Sequence, residues 1–202
     1  MYSKRATYIK VVIYIVVIVV FLVLGISSMF GGKNLNGAYE EYRCDVKNLR
    51  LATTVEIKKD DKYFGEVRGN LFTLVTDPLT LYDSRDNKIA YAGDAYHFIA
   101  QDSHTIYIND QFSAEMVGQV EFFGEYYKIY DENQELIAKV DFNSFNTAGE
   151  MYDAEGNLIA VYSSNYFFND FTVKISEECE LDHNTVLMIM CSYYSDQHYD
   201  NS

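Results

Sequence analysis

The sequence predicts a mainly β fold: a closed antiparallel barrel of about twelve strands around a central hydrophobic C-terminal α-helix, preceded by one N-terminal transmembrane helix. Three observations carry this. Val186 to Cys191 is apolar at every position, and a helix apolar on every face must be buried all round. Three segments between residues 79 and 161 share Tyr-Asp, five residues, then Ile-Ala. Val11–Phe30 holds twenty residues without a charge.

Taken in chain order, residues 1–10 form a basic tail with Lys4, Arg5 and Lys10. Val11–Phe30 follows as the transmembrane helix. Twenty helical residues reach about 30 Å, the hydrocarbon thickness of a bilayer. Basic residues are densest before it, and positive charge stays inside. The expected orientation is N-terminus inside and the main domain extracytoplasmic. A cleaved signal peptide is the alternative: Val11 to Leu24 has h-region length, and Gly25, Ser27 and Ser28 are small enough for a peptidase site. Cys44 is too far along the chain to be a lipoprotein anchor.

Residues 31–52 are polar and mixed in charge, with Gly31, Gly32 and Gly37 near the start. They read as a tether with a helical turn around Tyr39 to Leu49. The barrel domain is expected over residues 53–202.

Each Tyr-Asp repeat reads as a β-hairpin. The copies run from Leu79 to Tyr91, Tyr127 to Lys139, and Gly149 to Val161. Looser copies are Val55 to Val67, turning at Asp60-Asp61, and Ile106 to Val120, turning at Asn109-Asp110. Such turn residues tolerate positive φ or bond their own backbone. With Phe171 to Ser176 these give about eleven strands, and one more closes a set of twelve. A closed barrel removes exposed edges, and a large one needs its lumen filled. Residues 184–195, about 18 Å long as a helix, would fill it. A six-residue apolar run is equally compatible in pattern with one more buried strand.

The net charge is −14, with +4 on residues 1–33 and −18 on the remainder. So acidic a domain repels nucleic acid and anionic lipid heads. The three cysteines show no metal spacing. Cys191 reads as a packed core thiol, while Cys44 and Cys179 are either free or paired. His97, His104, His183 and His198 form no metal or catalytic motif. His104 reads as a surface or rim side chain, and His183 as a cap or part of a site. Glu177-Glu178 and Asp60-Asp61 read as solvated turns. Asp153-x-Glu155-Gly156-Asn157 comes nearest to a calcium loop but lacks the required spacing, and reads as a hairpin turn.

The ordered pieces Leu79-Thr80-Leu81-Tyr82-Asp83…Ile89-Ala90, Tyr127-Lys128-Ile129-Tyr130-Asp131…Leu136-Ile137-Ala138 and Met151-Tyr152-Asp153-Ala154-Glu155-Gly156-Asn157-Leu158-Ile159-Ala160 resemble the LURP-one-related family. Asn169-Asp170-Phe171-Thr172-Val173 and Val186-Leu187-Met188-Ile189-Met190 extend the likeness, over about residues 53–198. That family is similar in fold to phospholipid scramblases and the Tubby C-terminal domain. The resemblance implies a twelve-stranded barrel around a C-terminal helix. The basic pocket with which Tubby domains bind phosphoinositides has few counterparts here: after Lys88 only Lys128, Lys139 and Lys174 are basic.

The resulting expectation is a membrane-tethered, non-catalytic interaction or structural module on the outer face. The alternative is a calcium-responsive or lipid-associated module resembling scramblases. No catalytic, cofactor-binding or metal residue is assigned, and no cofactor. The expected partners are the membrane, through Val11–Phe30, and an unidentified protein or lipid, with no nucleic acid.

Overall fold

The computed structural model describes residues 32–49, 52–69, 78–94, 103–120, 125–143, 147–164 and 170–199. The chain divides into two units, Met1–Gly31 and Gly32–Ser202, and the barrel is the second. The basic tail, Val11–Phe30 and His97 lie outside the described residues, as does the side chain of His198. Among the described residues no helix is long and apolar enough to cross a membrane.

The strands are β1 (Tyr39–Leu49), β2 (Ala52–Lys59), β3 (Lys62–Gly69), β4 (Leu79–Asp83), β5 (Lys88–Asp94) and β6 (Ser103–Ile108). They continue with β7 (Gln111–Val120), β8 (Glu125–Tyr130), β9 (Leu136–Phe142), β10 (Ala148–Asp153), β11 (Leu158–Ser164) and β12 (Asp170–Ser176). One helix follows, α1 (His183–Tyr199). Each strand pairs antiparallel with its neighbour in sequence, and β1 closes the barrel on β12. The five expected hairpins are β2–β3, β4–β5, β6–β7, β8–β9 and β10–β11.

The twelfth strand is β1, where a tether with a helical turn was expected. Its residues alternate. Tyr42 and Cys44 are buried in the core, whereas Glu41, Arg43 and Lys47 are exposed. The mixed charges that read as a linker are the outer face of a strand. They pair across the sheet, Lys58 Nζ to Asp45 at 2.6 Å and Lys174 Nζ to Glu41 at 3.3 Å. Lys47 also pairs with Glu56.

Helix α1 lies in the lumen. Val186 to Cys191, with Tyr193 and Tyr194, is at most 2% exposed. Its side chains meet opposite sides of the wall. Tyr193 stacks on Phe142 of β9 and meets Tyr127 of β8 and Tyr162 of β11 edge-on, while Tyr194 stacks on Phe171 of β12. Thr185 and Ser113 of β7 share a hydrogen bond of 2.6 Å. The buried-strand alternative is therefore excluded. The helix runs past residue 195 because no Gly or Pro stops it. Asp196, just beyond the expected residues 184–195, is held inside by His104 of β6, whose Nε2 lies 3.0 Å from both carboxylate oxygens.

Candidate functional site at the turn rim

In a meander barrel, alternate turns share one end. The five hairpin turns and the β12–α1 link therefore form one rim around the start of α1.

The three Tyr-Asp repeats share one turn design. Asp83 Oδ1 accepts the backbone N–H of Arg85 at 2.8 Å and of Asn87 at 2.9 Å. Asp131 Oδ1 accepts those of Asn133 at 2.9 Å and Glu135 at 2.8 Å. Asp153 Oδ1 accepts that of Asn157 at 2.7 Å. In each turn Oδ2 takes a side-chain amide, from Asn87, Asn133 or Asn157. The residue three after the Asp has positive φ: Asp86 at 65°, Gln134 at 64°, Gly156 at 90°. Each turn is preceded by a register shift, at Leu81/Tyr82, Ile129/Tyr130 and Met151/Tyr152. The repeat thus encodes an Asp-closed turn with an adjoining bulge. The two remaining turns are two-residue loops with both residues at positive φ, Asp60 and Asp61, and Asn109 and Asp110, as a tight hairpin requires.

These hydrogen bonds set the electrostatics of the loops. The Asn87 amide, then its backbone N–H, holds Asp83 below the ordinary carboxylate range. The Glu135 N–H does the same for Asp131. At Asp153 burial raises the value, but the Asn157 amide and three backbone donors outweigh it. Calcium needs free oxygen ligands, and these oxygens already accept N–H donors. Among the described residues, no three His, Cys, Asp or Glu side chains converge to hold a metal.

At the mouth of the barrel, Glu40 gathers three donors. Tyr42 donates its hydroxyl to Oε2 at 2.7 Å, His183 Nδ1 lies 2.9 Å from the same oxygen, and Lys59 Nζ lies 2.6 Å from Oε1. Lys59, then the Tyr42 hydroxyl, holds the Glu40 carboxyl down at about 2. Burial, then Glu40 itself, pushes the Tyr42 phenol well up. Asp182 rather than His183 caps α1: its Oδ1 accepts the Asn184 N–H at 2.8 Å. His183 instead ties α1 to β1.

The rim as a whole is anionic. Residues 60–61, 83–87, 109–110, 131–135, 153–157 and 177–182 contain fourteen carboxylates and one guanidinium, Arg85. Fourteen of the thirty carboxylates of residues 34–202 therefore sit at one end, three of them closing their own turns by hydrogen bonds. Such an arrangement attracts cationic groups over a Debye length of about 8 Å.

Lys59, Lys88 and Arg68 pair with Glu40, Asp110 and Asp86 at this end, whereas Lys128, Lys139 and Lys174 lie elsewhere. Lys128 and Lys139 stand opposite each other on the outer wall of β8–β9. Lys174 lies on β12, beside Glu41 and Tyr39, so the three do not share a face. His104 sits at the opposite rim, as a strand-edge residue, but turns inward and is 7% exposed. Sequence reasoning missed its partner because Asp196 is 92 residues away. All three cysteines are free, Cys44 and Cys191 buried and Cys179 half-buried. An open groove of about 380 Å³ lies on the outer wall between Arg43 of β1 and Ser163 of β11. Its lining is mostly polar surface residues.

Comparison with known proteins finds no matching family model and no similar curated protein. The closed twelve-strand antiparallel barrel fits a Tubby-like architecture.

Proposed function

We propose that the chain is a membrane-tethered, non-catalytic barrel domain of LURP-one-related type, held on the outer face by Val11–Phe30. It acts as an interaction or structural module through its anionic turn rim. The observation that supports this reading most is the filled lumen. With α1 inside, recognition falls to the outer surfaces, and the rim offers fourteen carboxylates on its turns to a cationic partner. The fitting partner is a protein surface rich in Lys and Arg. Nucleic acid and anionic lipid are disfavoured by the same charge.

The test has two parts. A cysteine introduced at Asn133, an exposed turn residue, is labelled in intact cells with an impermeant reagent. Labelling before lysis is expected, and labelling only after lysis overturns the orientation. Residues 34–202 are then co-sedimented with phosphoinositide or phosphatidylserine vesicles at physiological salt, with chelator and with calcium. No binding is expected in either arm. Binding in chelator defeats the electrostatic argument.

The carboxylate density of the rim favours one second reading, a calcium-responsive module resembling scramblases. Binding only with calcium, or a calcium-dependent rise in melting temperature, selects it.

A further inference from the structure

The seven residues before β1 do not hang free. Ala38 O accepts the Glu177 N–H at 3.1 Å beside the turn rim. Gly37 turns the chain with φ 94°. Further back, the chain has crossed to the outer wall of β10. The Lys33 backbone N–H donates to Glu150 Oε1 at 2.9 Å, and Lys33 Nζ lies 2.9 Å from Oε2. The same Nζ donates to the Tyr152 hydroxyl at 2.5 Å and lies 5.1 Å from the centre of its ring. Tyr152 in turn donates to Glu150. A Cβ at Gly32 would lie 2.9 Å from that of Ala148.

The wall beneath is unusual for an outer face. By register Glu150 and Val161 face outward with Lys174, and Ala148 shares the face of Glu150. Yet Ala148 is 4% and Val161 8% exposed, and neither belongs to the core cluster.

We infer that residues 32–38 form a releasable strap, and that the outer wall of β10–β11 is its docking site, with Glu150 and Tyr152 clamping Lys33. Docked, the strap fixes the point where the chain leaves the barrel. Freed, its seven residues could span up to about 25 Å. The strap therefore switches the barrel's reach between short and long, and its release bares Ala148. The clamp is open to solvent from its lysine side. The Lys33 side chain is 63% exposed and that of Glu150 20%, and ion pairs open to water contribute little and weaken with salt. Apart from half-buried Leu35, the strap residues are themselves exposed. This inference stands whether or not Val11–Phe30 spans a membrane.

The test is amide hydrogen exchange on the full-length chain in detergent micelles. The Lys33 amide should exchange about ten- to a hundredfold more slowly than in an unstructured peptide, well short of the protection of core strands. Raising salt or replacing Glu150→Ala should erase that protection while β8 and β12 amides stay unchanged, which separates release of the strap from unfolding. A Gly32→Cys/Ala148→Cys pair should cross-link readily under mild oxidation, and a Gly32→Cys/Ser84→Cys pair should not. Free-peptide exchange at Lys33 in the unaltered chain, or equal cross-linking of the two pairs, overturns the docking. Protection equal to that of the core strands overturns its release.

Discussion

Replacing Met188 by Asp should abolish the fold, because α1 is the core of the barrel and not an accessory to it. Met188 lies mid-helix at 0% exposure, in the single core cluster that also takes in every strand's inward residues. Removing the thioether forfeits about 1.5–3 kcal/mol of burial. An unpaired carboxylate in its place adds several kcal/mol more. The sum rivals a whole domain's stability of about 5–15 kcal/mol. Met188→Ala gives the graded version. A cavity of that kind costs about 2–5 kcal/mol, which for a domain this size lowers the melting temperature by between about 4 and 20 °C. The chain has 19 Tyr and no Trp, so near-ultraviolet circular dichroism of the packed tyrosines is the assay. A Met188→Asp protein that melts cooperatively at the unaltered temperature would refute the central-helix reasoning, as would a deletion of residues 184–202 that does so.

The turn repeat makes a second prediction. Gln134 occupies the positive-φ position filled by Gly156 in the third copy, so Gln134→Gly should stabilise by up to about 1 kcal/mol. Gly156→Ala should destabilise by a similar amount, both read as shifts in thermal midpoint. Acid should unfold the barrel. Glu40, Asp83, Asp131 and Asp153 all have folded values below their ordinary ones, so the stability they contribute is present above the unfolded values. It is lost as pH falls through the lowered ones, from about 4.5 toward about 2 for Glu40. Melting temperature measured from pH 7 to pH 2 should drop in that window, and less steeply in Asp153→Asn. Thiol reactivity should be ordered by burial. Desolvation raises Cys44 strongly, lifts Cys191 to about 12 and also raises Cys179, which is only half-buried and so open to reagent. Ellman's reagent should therefore modify Cys179 first in the native state, and all three only after denaturation.

What the sequence determines here is local. Asp83, Asp131 and Asp153 close their turns with donors no more than four residues away, so three hairpins are legible as a repeat. Val186 to Cys191 is apolar throughout, and its burial follows from composition alone. The tertiary structure decided what depends on distant partners. β1 looks like a linker because a barrel's outer face tolerates charge, and only pairing with β2 and β12 makes a strand of it. Asp196 falls outside the expected residues 184–195, and only His104, 92 residues away, gives it an inward partner. Lys33 reads as part of a tether until Glu150, 117 residues on, accepts its amide. Turn chemistry is written within a few residues, whereas closure, polar pins and strap docking exist only once the barrel brings remote residues together.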